Sequence, residues 1–364
     1  MVSDDSSVFS KTKGKSGSGA TSGVLDFPFS LSEIAATAEE DQALGYAPLT
    51  FGQLPEESAA PFDIYLKIKL KGAPETRFIL CCPQGQVFPP EWRQKLQQVK
   101  ISSVYFPVAE VNAVLGHLER RLEEDLESSR RSVLEQAILN YEVLEVWTRN
   151  FFSSTQDRAV EELNLSLKCI DGLLHLLGQE KVHRGFIFDI RRHDRDRYTH
   201  SLNVCLLGLA FVSHLHWHLD KARAFGLGAL LHEIGLTQVP AAVLKKKGAL
   251  TGEERELVEK HPSRGYRILK NFGGISNDAL TMVLQHHENG DGSGYPQKLQ
   301  LADIHPWARI LRIVDSFEAM TEDRPWRLAS PPRETLQAMC DDWHQSQIYD
   351  PLYLKAFIKF LGTL

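Results

Sequence analysis

The sequence predicts a mainly α-helical protein with a small α+β module placed ahead of its helical part. Three observations lead there. Helical periodicity runs almost unbroken from about Leu163 to Leu364, with no convincing strand. Two β-rich runs, Ile64 to Leu70 and Arg77 to Cys82, stand close together earlier in the chain. Between these regions, apolar residues recur every three or four positions amid Glu and Arg. The 364 residues suffice for about two domains. A composition of 43 % hydrophobic and 24 % charged residues excludes a wholly disordered chain.

In chain order, residues 1–24 are rich in Ser, Gly and Lys without periodicity, as expected of a disordered tail. Residues 25–107 form the α+β module, although residues 25–60, with Pro55 and Pro61, carry no clear pattern. The two β-rich runs are its first strands. Pro89-Pro90 opens a helix from Glu91 to Val99, and Ser103 to Phe106 forms a third strand. Residues 108–162 are a helical connector, where Val111, Leu115, Leu118, Leu122 and Leu126 make an apolar stripe. That stripe packs on its own domain or pairs with a second copy in a homodimer. Residues 163–364 are the all-helical domain.

Net charge is −6, so no general basic field favours a nucleic-acid polymer. Small anionic ligands stay open, because local cations or metal ions can override a weak overall charge. No run approaches the ~18 apolar residues of a membrane span. The N-terminal stretch lacks the apolar core of a secretory signal. Five cysteines fit neither a disulfide ladder nor paired CxxC zinc sites, and a cytoplasmic location is expected.

Chemistry concentrates in the helical domain. His200, the His232-Glu233 pair, His261, the His286-His287 pair and Asp315 each sit beside an apolar helical run. Buried imidazoles and carboxylates need partners, and a metal ion is one that several can share. Neighbours on a helix point about 100° apart, so His232 and Glu233 cannot easily reach one ion. They can reach two ions side by side, with the carboxylate bridging them. Two ions roughly 3.5–4 Å apart suit in-line phosphoryl transfer. Imidazole and carboxylate ligands without thiolate favour iron, manganese or zinc. The alternating His214, His216 and His218 spread around their helix and do not suggest a shared ion.

The order His200, His232-Glu233, Asp315 resembles the H…HD…D order of the HD phosphohydrolase superfamily. His286 to Pro296 reads HHENGDGSGYP and matches HHExxDGxGYP, the motif of the HD-GYP branch, without a mismatch. The resemblance implies a bacterial signalling hydrolase that opens cyclic di-GMP to pGpG, GMP or both. It implies two divalent transition metals, iron or manganese, held by His200, His232, Glu233, His261, His286, His287 and Asp315. Members with a third ion add an acid one helical turn before the first histidine, where Asp196 stands. His232, Glu233 and Asp315 take the catalytic roles. Arg324 and Arg327 fall where the family has cations facing the phosphates, and Tyr295 comes to the rim of the site. Glu288 and Asp291 orient the adjacent histidines or their loop. GGDEF-domain proteins are the implied protein partners.

Three residues depart from the family pattern. Glu233 stands for Asp, Leu236 for the Lys of HDxGK, and Glu318 for Asp three residues after Asp315. Glutamate keeps the charge but moves the carboxylate by about 1.5 Å, and misplacements near 1 Å can cost about 10²-fold in rate. Leu236 removes a cation near the phosphates. Three readings follow: a cyclic di-GMP phosphodiesterase, a catalytically weak or inactive domain acting as a cyclic di-GMP receptor or interaction module, or an HD hydrolase acting on another nucleotide, which the intact GYP motif disfavours.

Overall fold

The computed structural model describes residues 34–35, 45–70, 76–99, 101–128, 131–153, 160–179, 185–190, 197–246, 248–323 and 327–364. The expected tail over residues 1–24, and Asp196 and Arg324 of the expected site, lie outside the described residues.

Alternating apolar residues build an antiparallel sheet. β1 (Ile34–Ala35) and β2 (Tyr46–Thr50) precede the three expected strands, which are β3 (Ile64–Leu70), β4 (Arg77–Cys82) and β5 (Ser103–Pro107). β4 pairs with β3, β3 with β5, and β5 with β2, while β1 meets the end of β3 at Leu70. β2 comes from the stretch without a clear sequence pattern. It is an edge strand, where Pro48 and its missing N–H are tolerated. Ile64, Leu66, Ile68, Val104 and Phe106 are buried in one core with Trp92 and Leu96 of α1 (Pro90–Gln98). The opposite face carries Tyr46 stacked on Phe78 at 4.4 Å, with Tyr65 and Tyr105 edge-on beside them.

The leucine stripe lies on α2 (Val111–Ser128). Val114 and Leu118 are fully buried within a single chain, and Leu122 nearly so. α2 runs against α3 (Val133–Ser153) and is tied to α4 (Leu163–Leu177) by Lys168, which reaches Glu119 and Glu123 at 2.5 and 3.1 Å. Val114, Leu118 and Leu122 are therefore covered within one chain, as the reading of a helix packed on its own domain expects, while Val111 and Leu115 stay half-buried. An apolar stripe of this period looks the same whether its cover is internal or a second copy.

α3 packs on α4 and on α6 (Arg197–His214), so it belongs to the helical core as well as to the connector. α5 (Phe186–Ile190) lies between α4 and α6 in the chain. Beyond it come α7 (Leu219–Leu231), α8 (Ala241–Leu244), α9 (Gly252–Glu259), α10 (His261–Phe272) and α11 (Asn277–Gln285). α12 (Pro306–Thr321), α13 (Pro332–Ser346) and α14 (Pro351–Leu361) close the chain. No strand occurs among the described residues of this half, as expected, apart from isolated bridge residues such as the Asp291–Gln300 pair. No helix among the described residues is long and apolar enough to cross a membrane.

Because Leu118 is an interior residue, Leu118→Ala should cost about 2–5 kcal/mol in urea denaturation. Leu118→Asp should abolish cooperative folding. A well-folded Leu118→Asp chain with a reduced sedimentation coefficient would instead restore the homodimer seam.

Candidate metal centre

Helix ends build the site. His200 lies in the first turn of α6, His232 caps the C-terminus of α7, and His261 opens α10. His286 caps α11 with His287 next to it, and only Asp315 comes from a helix interior, on α12. Glu233 begins a 3-10 turn, Ile234–Gln238, that leans on the start of α10. Gly235 makes this approach feasible. A Cβ there would sit 2.0 Å from the His261 carbonyl oxygen, so no other residue fits without moving the turn.

The seven candidate ligands fall into two groups, whose ligand atoms lie within 4.8 Å of one another inside each group. One holds His200, His232 and Asp315; the other holds Glu233, His261, His286 and His287. His200 Nε2 is 3.1 Å from Asp315 Oδ1. His261 Nε2 is 3.1 Å from His286 Nε2 and 3.2 Å from Glu233 Oε2. Glu233 joins the groups, since its other oxygen, Oε1, lies 3.8 Å from Nε2 of both His200 and His232. His232 and Glu233 thus serve different pockets, as their angular separation on the helix requires.

Ring orientation is set from behind. Nδ1 of His232, His261 and His286 each faces the carbonyl three residues earlier, at 2.7, 2.8 and 2.7 Å from Ala229, Val258 and Val283. An imidazole that donates from Nδ1 presents a bare Nε2 lone pair, the form a metal needs. His200 is held differently, with Nδ1 2.5 Å from Glu318 Oε2. Burial keeps His232 and His286 below the ordinary histidine range, and burial with His261 nearby brings His287 to about 3. Burial would lower His200 too, but Glu318 and Asp315 outweigh it and raise this imidazole to about 10. Burial opposes ionisation of Glu233, yet the surrounding histidines hold its carboxyl below the usual range.

Whether a metal suits these residues can be judged from buried atoms. His232 Nε2 and Glu233 Oε2 have no hydrogen-bond partner among the described residues. A lone pair and a carboxylate oxygen in that state are costly unless something positive joins them. Convergent imidazoles and carboxylates without thiolate are the donor set of a divalent transition metal. The residues fit.

The HHENGDGSGYP segment folds as a braced loop. Glu288 accepts from the Gln297 and Leu299 N–H groups at 2.6 and 2.9 Å, so it holds the loop rather than a histidine. Asp291 likewise accepts from Ser293 N–H at 2.9 Å. A Cβ on Gly294 would lie 2.3 Å from Asn289 N and 2.5 Å from His287 O, so glycine is required where the loop doubles back. The loop sets the Tyr295 ring 4.8 Å from that of His287, at the edge of the second pocket.

Arg327 differs from expectation. Its guanidinium donates to the carbonyls of Ala319, Met320 and Leu328 and to Ser330 Oγ, bracing the chain after α12 instead of facing phosphates. Glu318, first noticed only as a departure from pattern, is the partner of His200. Its i+3 spacing from Asp315 was the available signal. Arg312 was also missed as a charge near the site. It is anchored by Asn289 at 3.1 Å and Ser316 at 2.8 Å, and its charge contributes to lowering His287.

A helical domain that converges histidines and carboxylates in two adjoining groups has the arrangement of an HD-type fold. Residues 195–352 match the HD domain family. Cyclic di-GMP phosphodiesterase PA4108 of Pseudomonas aeruginosa is 35 % identical over 173 residues, covering 48 % of this chain and 41 % of that protein. A cyclic di-GMP phosphodiesterase of Thermotoga maritima is 36 % identical over 167 residues, 46 % of this chain and 45 % of its own length. A 3'3'-cGAMP-specific phosphodiesterase of Vibrio cholerae is 32 % identical over 143 residues, 39 % of this chain and 33 % of its own. The chain thus spans less than half the length of these curated relatives. Among solved structures, Bd1817, an HDG"Y"P protein from Bdellovibrio bacteriovorus, is similar with TM-score 0.65 and 19 % identity, covering 87 % of this chain and 99 % of that one. The coverage exceeds the helical domain, so the shared fold includes much of the preceding module. The helical region thus carries an HD domain over residues 195–352.

The two-group geometry makes separate demands on each residue. Asp315→Ala and His286→Ala should each lower bound divalent metal, and Glu233→Ala should lower it further than either. Elemental analysis after metal loading and desalting measures this. Equal metal content in Glu233→Ala and wild type would contradict a shared carboxylate.

Proposed function

We propose that this chain is a metal-dependent phosphodiesterase that opens cyclic di-GMP to pGpG and on to GMP. Its cofactors in this reading are two divalent ions, iron or manganese, with Asp196 the added ligand where a third is held. The observation that carries the reading is the Glu233 carboxylate, with one oxygen toward each pocket. When bound, a metal pair supplies charge neutralisation for a phosphodiester and the acidity that turns water into a nucleophile.

The chain's residues divide the remaining work. His200, His232 and Asp315 hold one ion, and His261, His286 and His287 the other. Burial of all of these side chains but the half-buried His287 limits bulk water, which strengthens every charge interaction within. Tyr295 offers an aromatic wall to a nucleobase at the rim. Arg324 is retained as a phosphate contact, and Arg327 is not, since its Nη1 and Nη2 already donate to the carbonyls of Ala319, Met320 and Leu328. The substitution of Glu for Asp, which favoured a receptor, is offset by the reach of Glu233 to both groups. The relatives include enzymes named for cyclic di-GMP and for 3'3'-cGAMP, so a 3′,5′-linked cyclic dinucleotide is the substrate class and cyclic di-GMP its first member.

Single-turnover assays on metal-loaded protein test this. Wild type should convert cyclic di-GMP to pGpG, and Glu233→Gln should be slower by about 10²-fold. Glu233→Asp should be no faster than wild type, because on this backbone the shorter side chain draws the carboxylate back from the contacts Glu233 makes with both groups. Wild type that carries two ions and binds cyclic di-GMP without product would make the domain a receptor.

A further inference from the structure

We propose that Tyr141, on α3 and outside the region matched to the HD family, is a positioning residue for His200. Its hydroxyl donates to Asn203 Oδ1 at 2.7 Å. Asn203 Nδ2 donates in turn to Glu318 Oε1 at 3.1 Å, and Glu318 Oε2 meets His200 Nδ1 at 2.5 Å. Tyr141, Asn203 and Glu318 are each about 1 % exposed, so this chain of bonds works in a low-dielectric interior where its geometry is held firmly. Asn203 and His200 stand three residues apart on one face of α6, and Glu318 grips both. The tyrosine therefore fixes the Asn203 amide, the amide fixes the carboxylate, and the carboxylate fixes the ring. The other three buried histidines lean on backbone carbonyls of their own segment. His200 alone among these depends on side chains from two other helices.

The same turn of α3 is also held from a second side. Glu142 accepts from Thr50 Oγ1 at 2.9 Å, and its carbonyl accepts from Gln53 Nε2 at 3.0 Å. Thr50 ends β2, so the sheet module grips the helix one residue from Tyr141. Rotation of α3 is thus set jointly by the module and by the metal pocket. In this reading, which rests on the metal-dependent function above, a shift of the module against Glu142 reaches one pocket and spares the other.

The test is titration of the metal-free 364-residue chain with Co²⁺, followed by the visible absorption of the bound ion. Wild type should show two steps. Tyr141→Phe, which keeps the ring and deletes one hydroxyl, should weaken one step by about 3–10-fold and leave the other within about 2-fold. Glu318→Ala should weaken the same step by about 10–100-fold. Glu142→Ala should act on that step too, and a cycle with Tyr141→Phe should be non-additive. Wild-type binding in Tyr141→Phe, or equal weakening of both steps with a lower melting temperature, would overturn the positioning role. Additivity in the cycle would overturn the link to the module. A wild type that takes up no Co²⁺ would defeat the enzymatic reading itself, which keeps the two failures distinct.

Discussion

The structure depends on one electrostatic constraint, a carboxylate buried among imidazoles. Glu233 is only 8 % exposed, and burial of an uncompensated carboxylate costs several kcal/mol. His200, His232, His261 and His287 all act on it to favour its charged form. Four separate segments must therefore present a ring at one point, and the packing of α6, α7, α10 and α11 follows from that requirement. Where Asp315 and Glu318 crowd His200, the imidazole retains its proton to high pH. A divalent ion answers the same need for positive charge with a fixed coordination geometry, which a proton cannot supply.

Helix termini are suited to this task for a reason internal to the backbone. The last turn of a helix leaves carbonyls without intrahelical partners. His232, His261 and His286 each place Nδ1 against a carbonyl of such a last turn, at the ends of α7, α9 and α11, and Val258 O also accepts from Lys260 N–H. One contact selects the tautomer and aims Nε2 inward. Helix termination and the preparation of metal ligands are the same local event here, which explains why the ligands sit where helical periodicity stops.

Much of this was legible in the sequence because the relevant signals are local. The strand run at Ile64 alternates, the one at Arg77 is a short apolar run, and the ligand residues interrupt apolar helical runs at points a reader can mark. β2 escaped notice because Pro48 lowers strand propensity, and only its place at the sheet edge makes the proline acceptable. The stripe on α2 was ambiguous because periodicity records that a face is covered and not by what. Arg327 carries a signal of another kind: its place in the chain suggests a phosphate contact, and only the fold shows that its guanidinium donates to carbonyls at the α12 C-terminus. The tie between Tyr141, Asn203 and Glu318 spans 177 positions and three helices, and no local pattern encodes it.

The departures at Glu233 and Leu236 become intelligible together once the backbone is considered. α7 ends at His232, and the chain continues as a 3-10 turn with Glu233 at φ −92 and ψ 4. This change rotates residue 233 away from the α-helical direction and lays its side chain between the groups. From there a carboxylate with the extra methylene reaches 3.2 Å to His261 on one side and 3.8 Å to His200 and His232 on the other. Retraction by one methylene would forfeit contact on one side. Leu236, half-buried on the same turn, brings no charge, yet the edge near Tyr295 is not without a cation. Arg312, one turn before Asp315 and tethered by Asn289 and Ser316, acts on both His287 and Tyr295. Positive charge at this edge therefore comes from α12, on the same helix as the carboxylate it accompanies, so the turn bearing Glu233 is free to be shaped by the reach of that side chain alone.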